Sequence, residues 1–534
     1  PSLKAIVTIA STDDRYADDI HYMGGVMIND AMSWGGTMFA FNSRPPDPAI
    51  VGEGWDELWK ARLEANDPWS MKWLSHQTRD AFWQHGSVCE NYEDIQCAVY
   101  AVGGWADGYS NAVPRMLEGL KCPKKGLVGP WAHKYPNFAL PGPRIGFLQE
   151  TLRWWDYWLK DIDTGIMEES QYRVWMQDSA PPATQYQIRS GRWVAEPSWP
   201  SEHIRWEKSY LNQKRLTEHA GEAEQIPIHT PQTMGARQGE WCGHGLDPDL
   251  PADQREDDGC SVVFETDPLT EAVEILGAPV LTLQLSSNQA NAFIVARLND
   301  VAPDGASTRV TFGVLNLTHR NSHEFPEQLV LGETNTIRLQ LNDVAQVFPV
   351  GHRIRIALSN TLWPLFWPSP DSVTLMLNTK ESHLELPVRS PRESDRDLRP
   401  FDRPESSKPQ AAEQLEPPTY KRLVERDDVL GESRLTVVAD SGMLRLTDLG
   451  WEHGSVSRQN YSIRDDEPNS GQIDLHWTMR FRRPDADLNV RTETRSGLTS
   501  TPTHFHFTAE MEVFEHGEKT YSKTWEKSFV RNLN

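Results

Sequence analysis

Residues from Leu3 to Ala10 are almost all apolar, broken only by Lys4 and Thr8. That is the pattern of a strand covered on both faces in a parallel sheet. Ser11-Thr12-Asp13-Asp14 ends it as a turn-and-cap cluster. From about residue 18 to 95 the spacing becomes helical and aromatic. Trp55, Leu58, Trp59 and Leu63 fall at i, i+3, i+4 and i+8, one face of an amphipathic helix. Trp69, Trp73 and Trp83 extend the pattern, which a Pro-rich loop over residues 42–48 interrupts. This stretch predicts helices without strands. Strand character returns at Ile95–Val102, followed by Gly103-Gly104-Trp105-Ala106-Asp107-Gly108-Tyr109. A helix is predicted across Asn111–Leu120, a short strand at Gly126–Val128, and a helix at Phe147–Leu159. Strands alternating with helices in this way predict an α/β unit wound on a mostly parallel sheet.

Beyond residue 168 the period falls to two. Residues 280–285, 292–298, 310–317 and 353–358 alternate as strands with turns between them. Many short strands without helices predict a β-sandwich or jelly roll over 168–390. Residues 391–418, rich in Pro, Arg, Asp and Glu, read as a linker. Over 419–534 strict alternation returns, with Ile473, Leu475, Trp477, Met479 and Phe481 on one side of a strand. It predicts a further antiparallel β domain, of undetermined role.

Composition narrows the function classes. A chain of 534 residues is long enough for three or four domains. Its formal net charge of −23 argues against nucleic acid as a partner, since phosphate binding needs a basic footprint. No apolar run approaches a membrane span and no signal peptide opens the sequence, so neither membrane nor export is expected. The five cysteines are scattered and lack C-x-x-C spacing, which favours a reducing cytoplasm over a disulfide framework or zinc site. The 21 tryptophans point to wide inter-domain contacts or a lined cleft. Pro1 stands where a Met is usual, directly before a buried-looking strand, which leads us to expect truncation at the N-terminus.

In open α/β sheets, reactive groups sit beyond the carboxyl ends of strands. Asp107 lies at one such end, in a glycine-rich turn, and His133 just past the next. They are 26 residues apart with one helix between them, as a right-handed crossover requires. A carboxylate so placed can fix the tautomer of an imidazole and stabilise the imidazolium that forms. Alone, each residue reads as a turn former or an ordinary loop residue; the pairing at successive strand ends is what points to catalysis.

The segments 102–109 (Val-Gly-Gly-Trp-Ala-Asp-Gly-Tyr) and 128–133 (Val-Gly-Pro-Trp-Ala-His) resemble the acid and base motifs of the cocaine-esterase/X-prolyl dipeptidyl-peptidase (CocE/NonD) family of α/β hydrolases. Residues 12–25, 33–36, 42–48 and 362–370 resemble further landmarks of that family, in order. The resemblance covers at least residues 1–370. It implies an incomplete hydrolase domain over 1–17 and 96–167, a helical cap over 18–95, and a jelly roll packed on both. It also implies Asp107 and His133 as acid and base of a Ser-His-Asp triad, with no cofactor and no metal. Substrates of such enzymes are small-molecule esters or amides or short X-Pro peptides. Homo-oligomerisation stays open.

The nucleophile is the departure. The family's G-x-S-x-G elbow is absent and would lie just upstream of Pro1, along with the oxyanion hole. The chain alone is therefore expected to be inert and to fold poorly, with the edge of its first strand unpaired. Ser33, in Ala31-Met-Ser-Trp-Gly35, has the right order relative to Asp107 and His133, but no uninterrupted strand precedes it. A complete hydrolase using Ser33 is one alternative; a non-catalytic, carbohydrate-binding jelly-roll protein is another. Asp13, Trp34, Trp105 and Tyr109 are cleft candidates for substrate binding. Asp14, Asp18 and Asp19 lie in the same region, with capping and solvation the simpler roles. Cys242-Gly-His244 and His319/His323 have metal-like residue types without a second ligand pair at a recognised spacing, and read as loop residues.

Overall fold

The structure is a computed structural model that describes residues 2–246 and 248–534. Four parallel strands open the architecture: β1 (Ala5–Ile9), β2 (Ala98–Gly104), β3 (Lys124–Gly129) and β4 (Tyr172–Gln177). They lie side by side in chain order, with Ala5 opposite Ala98, Val99 opposite Lys124 and Gly126 opposite Tyr172. Strand β5 (Gly191–Glu196) then pairs antiparallel to β4. Strands β2 and β3 are buried along nearly their whole length, which is why they read as continuous apolar runs. β1 differs. Among the described residues it pairs along one edge only, with β2, and only Ala5 is fully buried.

Between β1 and β2 the chain forms the expected helices: α1 (Asp30–Asn42), α2 (Trp55–Ala65), α3 (Trp69–Leu74) and α4 (Ala81–His85). The expectation of no strands here is corrected. Asp18–Asp19, Tyr22–Met23 and Val26–Met27 pair as a small antiparallel sheet. Two-residue strands are too short to show a period, so the pattern could not reveal them. In α2, Trp59 and Leu63 are buried as the spacing requires, whereas Leu58 points to solvent. Helix α5 (Ala112–Gly119) bridges β2 and β3, and α6 (Phe147–Lys160) follows β3.

The middle of the chain is antiparallel. β6 (Ile204–Asn212) and β7 (Val280–Ser287) flank β11 (Leu375–Arg389), while β9 (Ser307–Asn316) and β10 (Arg353–Ser359) flank β8 (Phe293–Val301). Leu281, Leu283 and Leu285 of β7 share one apolar core with Ile294, Ala296 and Leu298 of β8, so the two groups of strands face each other.

The last region is a long antiparallel sheet. Its long strands are β12 (Glu432–Asp440), β13 (Trp451–Arg464), β14 (Glu467–Arg483), β15 (Leu488–Ser500), β16 (His504–Glu515) and, at one edge, β17 (Glu518–Val530). One face packs on the helices before β2: Leu475, Leu498 and Met511 join Met32, Phe39 and Trp59 in a single core. The stretch read as a linker is not wholly irregular. Its end, Ala412–Glu416, is a strand that pairs antiparallel with Met443–Leu446.

Candidate active site

The turns after β2 and β3 cross in close contact. The Trp105 and Ala106 amides donate to the carbonyls of Gly129 (2.9 Å) and Trp131 (3.1 Å). A Cβ on Gly104 would lie 2.0 Å from the Trp131 carbonyl oxygen, and one on Gly129 would meet the Trp131 ring at 2.4 Å. Glycine is needed at both positions because backbone and indole fill the space a side chain would take. Trp131 is anchored through its indole N–H to the Pro143 carbonyl (2.8 Å), and Trp105 likewise to Trp175 (2.8 Å).

This crossing brings Asp107 and His133 together. His133 Nδ1 lies 3.2 Å from both carboxylate oxygens of Asp107. The Asp107 side chain is 1% exposed and that of His133 is 35% exposed. A buried carboxylate thus holds an imidazole whose far side opens to solvent. The hydrogen bond that His133 donates to the Asp107 carboxylate raises the His133 pKa above the ordinary histidine value, against burial, which lowers it. With its proton on Nδ1, the ring presents the Nε2 lone pair; among the described residues no side chain hydrogen-bonds there.

A loop from the β-rich middle region completes the surroundings. The His133 amide donates to the Gly243 carbonyl (3.0 Å), and Cys242 Sγ sits 3.8 Å from Asp107 Oδ1. The Tyr109 amide reaches the same oxygen at 3.3 Å. Burial, reinforced by the Asp107 charge, pushes the Cys242 thiol well above its usual pKa. The His244 ring centre lies 5.7 Å from that of His133 and the Tyr109 ring 5.5 Å. His244 Nδ1 pairs with the Cys242 carbonyl at 3.2 Å, and burial lowers its pKa.

The other sequence candidates separate. Tyr109 stands beside His133 and donates its hydroxyl to Asp19 (2.7 Å). Trp105 lines a cavity of about 120 Å³ on the Asp107 side, together with Arg189, Arg309 and Asp343. Asp13 is held by Arg115, whose Nε lies 3.0 and 3.1 Å from its two oxygens, while Asp18 takes Nη1 and Nη2 at 2.6 and 2.8 Å. Those carboxylates are engaged in an internal ion network, and Asp14 pairs with Arg79 (3.2 Å). Trp34 is 42% exposed on α1. Ser33 lies in the first turn of the same helix and donates to the Asp30 carbonyl (3.1 Å). His319 and His323 meet Nδ1 to Nδ1 at 3.2 Å. Among the described residues they recruit no third metal-type ligand; the one group of three is Asp107, His133 and Cys242.

Cys242 and His244 therefore belong at the dyad rather than in an isolated loop. Their residue types stood out in the sequence, but nothing local ties Cys242 to an aspartate 135 positions earlier. Arg115 carried no sequence signal.

Asp107 and His133 thus stand paired at neighbouring strand ends of a parallel sheet that is followed by a large antiparallel region. The family model for X-Pro dipeptidyl-peptidase (S15 family) matches residues 1–135, and that for the X-Pro dipeptidyl-peptidase C-terminal non-catalytic domain matches 164–398. The chain thus resembles the CocE/NonD hydrolases, one of which, from Staphylococcus aureus, has a similar fold (14% identity, TM-score 0.54, 73% of this chain and 67% of that chain). It is 26% identical over 305 residues to a Mycobacterium bovis protein described as a candidate serine esterase, covering 50% of this chain and 46% of that protein. It is 23% identical over 329 residues to cocaine esterase of Rhodococcus, covering 56% and 55%. The chain thus spans about half the length of the curated relatives it matches. Solved structures with the same fold include an aminopeptidase from a marine-sediment thaumarchaeote (18% identity, TM-score 0.57, 73% of each chain). An α-amino acid ester hydrolase is similar to the same extent (19%, TM-score 0.54, 73% of each chain). No helix among the described residues is long and apolar enough to cross a membrane.

Proposed function

We propose that this chain supplies the acid and base of a serine-type acyl hydrolase whose nucleophile lies outside residues 1–534, upstream of Pro1. The observation that carries the reading is the buried Asp107 carboxylate, 3.2 Å through both oxygens from Nδ1 of a histidine whose Nε2 side is open. In the reaction, Nε2 of His133 takes the proton of an attacking serine hydroxyl as its oxygen adds to an ester or amide carbonyl. Asp107 stabilises the imidazolium, which then protonates the leaving group. Water, deprotonated by the same histidine, releases the acyl group as a carboxylic acid.

Two features support a nucleophile from outside the chain. Among the described residues β1 pairs with β2 alone, so its other edge could accept a further parallel strand carrying an elbow. The exposed faces of Leu148, Leu152 and Leu159 on α6 lie on the same unit. Ser33 lacks both the elbow and a hydrogen bond to His133, so the reading of a complete hydrolase has no geometric support. In this assignment residues 18–95 form a helical cap, 168–390 a jelly roll that walls the cleft, and 419–534 a domain that buttresses the cap. The substrate is an ester, an amide or a short X-Pro peptide, handled without a cofactor in the cytoplasm, and the chain without its nucleophile is inert.

Fluorophosphonate labelling with mass-spectrometric mapping tests the assignment. The expected result is no labelled serine within residues 1–534, and, in a longer protein that includes the preceding residues, one labelled serine upstream of Pro1 whose reaction His133→Ala abolishes. Labelling at Ser33 that depends on His133 would overturn it.

A further inference from the structure

We propose that Asp107, His133 and Cys242 form a divalent-metal site, suited to Zn²⁺, whose occupation switches the catalytic dyad off. One ligand atom from each residue lies within 4.8 Å of the other two. The separations to Asp107 fit a tetrahedron, and Nδ1 and Sγ lie within 4.8 Å of each other. Zinc bonds of about 2.0–2.1 Å to nitrogen and oxygen and about 2.3 Å to sulfur require ligand edges of about 3.4 Å for N···O and about 3.6 Å for S···O. The observed edges are 3.2 Å from Nδ1 to each Asp107 oxygen and 3.8 Å from Sγ to Oδ1. The carboxylate therefore already stands at zinc spacing from both the imidazole and the thiol, in a Cys-His-carboxylate set of the kind zinc prefers, and Nδ1 and Sγ need only draw together to close the site.

Charge favours the metal as well. A carboxylate, a thiolate and a neutral imidazole around a dication sum to zero, which removes the cost of net charge in a buried site. The cavity of about 120 Å³ that reaches Asp107 and Trp241 has room for a water as fourth ligand.

The consequence for chemistry follows from proton bookkeeping. Metal coordination takes the Cys242 S–H proton to solvent, one proton per metal bound. It also takes the Nδ1 lone pair, so the proton that Nδ1 shared with Asp107 must move to Nε2 for the ring to remain neutral. Nε2 then carries N–H and cannot accept a proton from a serine. Asp107 becomes a metal ligand and no longer orients the ring. Inhibition is thus a tautomer switch with no need to block the cleft.

The inhibitory meaning rests on the hydrolase reading above, but metal binding itself does not, and this chain tests it without any activity. Co²⁺ is the probe, because thiolate ligation gives a charge-transfer band in the near ultraviolet and tetrahedral geometry gives intense visible bands. The expected result is one Co²⁺ per chain with both signatures and displacement by Zn²⁺. Cys242→Ser should remove the thiolate band and weaken binding by at least about tenfold, the loss that even an outer-sphere partner causes. A variant with Cys89, Cys97, Cys122 and Cys260 all changed to Ser should keep both; it retains the whole site, so it decides the matter even if Cys242→Ser does not fold. Absence of the band from the wild type, its survival in Cys242→Ser, or its loss from the four-serine variant would overturn the proposal.

Discussion

Arg115 of α5 holds two buried carboxylates at once, Asp13 beyond the end of β1 and Asp18 in the small sheet that follows. Asp18 also accepts from Asn111 (2.6 Å), which in turn receives the Asp343 amide (2.7 Å) from the β-rich region. The cost of removing one partner of such a network exceeds the worth of the pair, because the other charges stay buried. Arg115→Met is accordingly expected to destabilise the chain by about 3 kcal/mol in urea unfolding. Adding Asp13→Asn and Asp18→Asn should recover at least half of that. If the triple variant is no more stable than the single one, packing rather than charge is what Arg115 supplies. None of this was visible in the sequence. The four aspartates near β1 suggested capping or, for Asp13, substrate binding, and only the three-dimensional position of α5 shows that a guanidinium already occupies Asp13 and Asp18.

Helix α6 shows how far periodicity reaches. Phe147, Glu150 and Trp154 are its buried face, and the spacing located the helix to within a residue. The opposite face exposes Leu148, Leu152 and Leu159, at 48%, 54% and 57%. Three leucines on one side of a surface helix are a sticky patch, and the edge of β1 that pairs with no other described strand, on the same unit, adds to it. Leu152→Glu with Leu159→Glu is expected to lower binding of a hydrophobic dye and to reduce self-association, with stability changed by no more than about 0.5 kcal/mol. A loss of several kcal/mol, measured by denaturant titration, would show that this face is packed rather than open. Periodicity failed where elements were shortest. The two-residue strands after β1 and the strand at the end of the predicted linker carry too few positions to alternate, and their pairing depends on distant partners.

At the scale of the molecule, the surroundings of Asp107 and His133 draw on residues matched by two different family models. Asp107 and His133 come from the parallel sheet, but Cys242, Gly243 and His244 come from the region whose matching family model is described as non-catalytic. The loop that carries them is held from outside by Arg422 of the last antiparallel region, which donates to Glu240 (3.0 Å) and to the Gly239 carbonyl (3.4 Å). It is held from below by Asp30 of α1, which accepts the Trp241 and Cys242 amides and whose carboxyl burial pushes up to about 6. The dyad was legible because its two turns have compact motifs at strand ends. Its frame was not, since a loop more than a hundred residues away leaves no mark on local spacing.

The most direct test of the account is the titration of His133, followed by ¹⁵N-edited NMR in this chain and in Asp107→Asn. His133 should carry its proton on Nδ1 and titrate above 6.5, because the Asp107 carboxylate favours the imidazolium. A folded-state pKa raised in this way means that the pair adds stability in full below 6.5 and loses it as pH rises through the folded value. Asp107→Asn should lower the His133 pKa and erase that pH-dependent increment. A His133 that titrates at or below the ordinary value, unchanged by Asp107→Asn, or that holds its proton on Nε2 in metal-free protein, would contradict the acid–base assignment.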